Sequence, residues 1–224
     1  MSGRRPVVIY GNGQVAELAL ARLRESDEFD VVGFTVDRAF VGAGVLHGLE
    51  VLPFDSVCSR WPPAGHDMFV AIGPARVNRL RAQRCADAKA LGYRLISVVS
   101  PSARVASGVV LGENCTVGDG CIVLPYAMIG NDVHLGTACV IGHHACIGDH
   151  AFLAISVTLA GSVTVEPYAV LGAGVTVRDR VTVGQSACLG AGVVLAGNAL
   201  PNGVYAAPEP LLLPIASDRL PGMR

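Results

Sequence analysis

Ile129-Gly130-Asn131-Asp132-Val133-His134-Leu135-Gly136-Thr137-Ala138-Cys139-Val140-Ile141-Gly142-His143-His144-Ala145-Cys146-Ile147-Gly148 repeats its chemistry every six residues, and the period extends in both directions. From Val105 to Leu195 every sixth residue is aliphatic, and the residue four places later is small, from Val109 and Cys115 to Ala199. A helix, with 3.6 residues per turn, cannot generate this spacing, and a simple alternating strand would not bring glycine back at a fixed place. Glycine holds the second place in nine of the sixteen units, from Gly112 to Gly190, as expected where a backbone turns sharply. Short strands joined by tight corners satisfy the pattern, with the aliphatic residue inside and three hexapeptides per triangular coil. One coil cannot bury its own apolar face, so the coils must stack and satisfy each other's backbone groups.

The rest of the composition narrows the class. Seventeen Lys and Arg balance eighteen Asp and Glu, so no polyanion-binding surface is expected and nucleic acid is not a candidate partner. No run approaches the roughly 20 apolar residues of a membrane span. The apolar run Val7–Tyr10 is too short for a signal-peptide core, which leads to the expectation of a soluble, cytoplasmic protein with no membrane partner. Seven cysteines, an odd count in no paired spacing, read as reduced structural thiols. Three of them, Cys115, Cys121 and Cys139, fall at the small inward place of the repeat.

Residues 6 to 100 follow another grammar. Val7–Tyr10 reads as a buried strand, Gly11-Asn12-Gly13-Gln14-Val15-Ala16 as a glycine turn, and the following stretch through Leu23 as a helix. Further strands are predicted at Val31–Asp37, Leu49–Leu52, Met68–Gly73 and Tyr93–Val99, with an Arg-rich helix from about Ala75 to Leu91. Alternating strands and helices imply a small parallel sheet with a nucleotide-type crevice at its carboxyl ends. Gly11-x-Gly13-x-x-Ala16 with Asp37 beyond it matches a dinucleotide fingerprint, yet nothing downstream resembles a hydride-transfer site. The same turn also serves simply to pack helix against strand. Asp37 is placed to accept hydrogen bonds from a ribose or base.

The hexapeptide run resembles the hexapeptide-repeat acyltransferase superfamily over about residues 101 to 200. That resemblance implies a left-handed parallel β-helix, a homotrimer, and an acyl-CoA donor lying between neighbouring subunits. The domain division is then 1–100 for a Rossmann-like α/β domain, 101–200 for the β-helix and 201–224 for a tail. Together the two domains resemble sugar acyltransferases of the sialic-acid O-acetyltransferase type and their bacterial relatives that N-acetylate nucleotide-linked amino sugars. This implies a role in surface polysaccharide biosynthesis, with acetyl-CoA as donor and a nucleotide-linked amino sugar as acceptor. It also implies that Gly11, Asn12, Gly13, Gln14, Asp37 and Gly73 hold the nucleotide. Asn12 stands where several relatives carry histidine.

Aligning the repeats with the family's catalytic segment puts His143 on its general base. An imidazole suits that task near neutral pH. His144 falls where many relatives have a carboxylate that orients the base, leaving Asp149, an acid of another subunit, or His144 itself for that work. Phe152 replaces a second histidine common in relatives. The stretches Gly172-Ala173-Gly174 and Gly190-Ala191-Gly192 match the family's donor contacts, although the repeat itself also calls for small residues there. His143, His144, Cys146 and His150 cluster in sequence, but consecutive corner side chains are expected to diverge and no zinc spacing is matched, so no metal is expected. Hydroxyl in place of amine as acceptor, and a trimer that binds without catalysis, remain as alternatives.

Overall fold

The computed structural model describes residues 3–211 and residue 214; the remainder of the Pro-rich segment, expected as a tail, lies outside the described residues. Strand β1 (Arg5–Tyr10) leads through the glycine turn into helix α1 (Gln14–Arg24) and then β2 (Phe29–Val36). A hairpin of β3 (Val45–Leu46) and β4 (Leu49–Pro53) follows, then the short α2 (Val57–Arg60), β5 (Asp67–Val70) and α3 (Arg79–Ala90). The sheet runs β3-β4-β2-β1-β5, parallel except for the β3–β4 pair. Helix α1 packs on one face over Val7, Ile9 and Phe34, while α2 and α3 cover Val8, Met68 and Val70 on the other.

Two expectations for this region change. Helix α3 begins at Arg79 rather than near Ala75, because Arg76, Val77 and Asn78 all have positive φ, which no right-handed helix accommodates. The stretch Tyr93–Val99 is not a strand of this sheet. It makes one bridge, Met68 with Leu95, and then starts the second domain with β6 (Val98–Val99).

From β6 onward the chain winds as a left-handed parallel β-helix. Three sheets form its faces. One climbs through Arg104–Val105, Ile122–Val123 and Val140–Ile141 to Val194–Leu195, and a second through Val110–Leu111, Met128–Ile129 and Cys146–Ile147 to Thr182–Val183. The third climbs from β6 through Thr116–Val117, His134–Leu135, Phe152–Leu153 and Val170–Leu171 to Val204–Tyr205. Partners in the ladders are eighteen residues apart, as Val123 with Ile141 and Leu135 with Leu153. The aliphatic positions from Val117 to Leu195 are buried, whereas Val105 remains 37% exposed at the open first coil.

The sharp turn lies two residues beyond the expected place. Every sixth residue from Gly108 to Gly192, the fourth of each unit, is left-handed, including His144 (φ 58°) and His150 (φ 63°). Second-place glycines answer a different demand: a Cβ on Gly118 would sit 2.7 Å from the Gly136 carbonyl carbon of the next coil. They permit close stacking of coils rather than a backbone reversal.

The domains are joined by a buried polar cluster on one edge of the prism. Arg81 of α3 donates from Nε to Asp132 Oδ1 (2.7 Å), with the two side chains 4% and 2% exposed. Asp132 Oδ1 also accepts from Asn114 Nδ2 (2.9 Å), and Oδ2 meets His150 Nδ1 (2.8 Å). Asn114 in turn closes the edge of β5, accepting from the Val70 N–H and donating to the Val70 carbonyl. Asn78 donates to the carbonyls of Tyr168 and Ala169, higher on the same edge. Removing one member of a buried ion pair strands the other, at about 3–5 kcal/mol. Arg81→Ala should therefore lower unfolding free energy by about that amount in urea denaturation, and a wild-type midpoint would sink the assignment of Asp132 as a dependent charge.

Candidate active site

The glycine turn, the carboxyl ends of β1, β2 and β5, and α3 enclose a cleft of about 350 Å³. It brings together Gly11, Asn12, Gly13, Gln14, Asp37 and Gly73, all singled out from the sequence, with Tyr10, Phe40 and Arg84, which were not. Gly11 (φ 123°) tolerates no side chain, since a Cβ would lie 2.6 Å from the Ala71 carbonyl oxygen. The amino end of α1, with no side-chain cap on Gly13, opens into this cleft, and unsatisfied N–H groups there favour an anionic group.

Asp37 is less free than the sequence suggests. Its Oδ1 accepts from Tyr10 Oη (2.7 Å) and its Oδ2 from Arg84 (2.8 Å). Burial, and then the hydrogen bond to Asp37, pushes the Tyr10 phenol up, so it is a neutral donor at neutral pH. The carboxylate is thus fixed from inside and can offer a ligand only its remaining lone pairs. Tyr10 as the last residue of an apolar strand and Arg84 within an Arg-rich helix carried no separate sequence signal.

His143 and His144 are exposed on a second edge of the prism, where the first face turns into the second. Contrary to the expected divergence, the left-handed turn at His144 folds its ring back, and the two Nδ1 atoms lie 3.0 Å apart. The far side of the His144 ring leans on Tyr126, with centroids 4.8 Å apart. His143 lies over Gly161, one coil above, where a Cβ would come within 2.6 Å of the imidazole. The glycine was not singled out from the sequence, although it occupies the third place of its unit, eighteen residues after His143.

Asp149 does not orient His143. Its Oδ1 accepts from the Asn131 N–H (2.7 Å) on the edge facing α3, where His150 is also committed to Asp132. In the sequence cluster, His143 and His144 therefore share one edge, Cys146 lies on the face beyond it and His150 on the next edge, because six residues carry the chain across a full face. Gly172, Ala173, Gly190 and Ala191 lie on the third edge, in line with Thr137 and Ile155 below them.

A smaller cavity of about 230 Å³ separates α1 from the third face. Gln14 and Val15 line both this cavity and the larger cleft. His134 stands on its wall, stacked on Phe152 at 4.5 Å with the rings 6° from parallel. Burial first, and then the charges of Arg81 and Arg22, push the His134 imidazole down to about 3, so it is neutral at neutral pH.

A family model for the bacterial transferase hexapeptide (six repeats) matches residues 114–149. No curated protein matches the chain. Among solved structures, PerB from Caulobacter crescentus, in complex with CoA and GDP-perosamine, is 30% identical and superposes with a TM-score of 0.82, covering 90% of this chain and 94% of that one. A histidine-to-asparagine variant of perosamine N-acetyltransferase from the same organism gives 29% identity and 0.83, covering 90% and 93%. The acetyltransferase domain of PglB from Neisseria gonorrhoeae shares the fold at 24% identity and 0.81, covering 91% and 97%. With the repeat, the two-part architecture and PerB's identity over nearly its whole length, the chain belongs to the hexapeptide-repeat sugar acyltransferases.

Proposed function

We propose that the protein transfers an acetyl group from acetyl-CoA to the amino group of a nucleotide-linked amino sugar, with His143 as general base. The observation that carries this reading is the match to PerB, solved with CoA and GDP-perosamine, over nine-tenths of the chain. The exposed His pair and the phosphate-suited turn support it. Gly11, Asn12, Gly13, Gln14 and Gly73 receive the nucleotide, with Asp37 fixed beside them as an acceptor. The amine attacks the thioester carbonyl, its proton passes to His143, and the C–S bond breaks as the thiolate of CoA leaves and takes up a proton. A backbone N–H meets the oxyanion.

His144 does the orienting work that a carboxylate does in many relatives. If His143 carries its proton on Nδ1 and donates it to His144 Nδ1, Nε2 of His143 is left as the basic nitrogen. The Tyr126 ring and the coil above then fix both rings.

One chain does not assemble all the parts. The cleft, the smaller cavity and the line from Thr137 and Ile155 to Ala173 and Ala191 lie together, while the His pair is on a different edge of the same prism. Leu124, Tyr126 and Met128 around the His pair are exposed apolar side chains, which favours coverage by another copy. The active form is thus a homotrimer in which the His pair of one subunit meets the donor line and acceptor cleft of its neighbour, Gly172, Ala173, Gly190 and Ala191 contacting CoA. The seven free thiols, with acetyl-CoA as donor and a nucleotide-linked sugar as acceptor, support a cytoplasmic reaction, in surface polysaccharide biosynthesis.

Purified protein should release CoA from acetyl-CoA with one member of a panel of GDP-, UDP- and dTDP-linked amino sugars. His143→Ala should reduce kcat by about 10²- to 10⁴-fold without unfolding the β-helix. Turnover unaffected by that substitution removes His143 from the chemistry, and turnover only on hydroxyl acceptors moves the reading to O-acetylation. Gly161→Ala, which displaces the His143 ring, should reduce kcat at least about 10-fold while leaving nucleotide affinity unchanged; wild-type kcat would show that the ring's seat is immaterial. Co-refolded mixtures of His143→Ala with a Gly11→Val variant should regain activity that neither shows alone, whereas no recovery in verified mixed trimers argues for sites built within single chains.

A further inference from the structure

The cavity between α1 and the third face is adjacent to the nucleotide cleft, yet no group assigned so far explains it. Its walls are mostly apolar, with Val15, Leu18, Phe69, Phe152 and Ile155 prominent. His134 is the imidazole in this wall. Its side chain is partly exposed and has no hydrogen-bond partner among the described residues, so its ring nitrogens are free to meet a ligand that enters the cavity. The flat stack on Phe152 and the neighbouring Arg81 guanidinium, itself 5.9 Å from the Phe152 ring, hold its plane fixed.

We propose that His134 holds the sugar ring of the acceptor, offering a ring nitrogen to a sugar hydroxyl in the cavity between α1 and the third face. The inference rests on the nucleotide-sugar reading above and assigns the place of the sugar within it. Gln14 and Val15 line both spaces, so a ligand whose phosphates sit at the amino end of α1 has its next group directed past them. An apolar cavity bearing an unpartnered imidazole suits a monosaccharide with few hydroxyls, one face against Phe152 and Ile155 and one hydroxyl on His134. Held neutral, the imidazole can donate or accept without bringing a charge beside the amine.

The test uses the full-length protein and calorimetric titration with GDP-, UDP- and dTDP-linked amino sugars, each beside its bare nucleoside diphosphate. Wild-type protein should bind one nucleotide sugar more tightly than the matching diphosphate. His134→Phe, which keeps the stack, should lose roughly 10- to 100-fold in affinity for that sugar nucleotide while the diphosphate and acetyl-CoA bind as before. His134→Asn, retaining a polar group, should recover part of the loss. Equal sugar-nucleotide affinity in His134→Phe and wild type would overturn the proposal, as would a loss shared by the bare diphosphate or confined to acetyl-CoA. A wild-type protein that binds none of the panel instead overturns the nucleotide-sugar reading and this inference with it.

Discussion

A chain that climbs one coil in eighteen residues sets each side chain against the one eighteen positions later, and this constraint governs every site on the β-helix. His134 stacks on Phe152, His143 lies over Gly161, and Asp132 binds both Asn114 below it and His150 above. The coil pitch makes these contacts available, and the hydrogen bonds between coils keep them in register. The interior repeat is thus also an external coordinate system, in which a column of outward positions can be read as a list of neighbours.

The β-helix was legible because its signal is local and repeated, so each unit confirms the last. His143 and His144 were legible for the same reason: their place in the unit alone sends them outward at a corner. In the cleft, Gly11, Gly13 and Asp37 also came from a short-range pattern, in the turn between strand and helix and at a strand end, whereas Asn12, Gln14 and Gly73 came from the family resemblance. What was hidden depends on contacts between distant segments. Arg81 reads as one more cation of a polar helix, and its burial follows only from Asp132, 51 residues away. Gly161 and His134 have meaning only against residues of neighbouring coils, and the fate of Tyr93–Val99 was decided by the crossing from sheet to β-helix rather than by its own apolar run.

The electrostatics of the chain are short-ranged by design of its composition. With near-equal numbers of acids and bases, selectivity has to come from fixed local groups. Asp37 is held by a phenol and a guanidinium before any ligand arrives, and Asp132 is saturated by Arg81, Asn114 and His150. Groups already bound in this way have little reorganisation left to undergo on binding, which favours a defined ligand geometry over adaptability. The two histidines on the exposed edge contrast with this, since their remaining nitrogens are still open to a partner.

The left-handed corners have a consequence for how such a protein can change. A fourth-place side chain points out of the prism, so away from the edge packed against the α/β domain exchanging it leaves the interior untouched, and asparagine, tyrosine, aspartate, alanine, histidine, serine and arginine all occupy that place here. The three edges are consequently three independent registers: one fastened to the α/β domain, one bearing the paired imidazoles, one lined by glycine and alanine. New chemistry can be written into the latter two one corner at a time while the folding instructions, carried by the aliphatic and small inward residues and by the buried polar edge, stay the same.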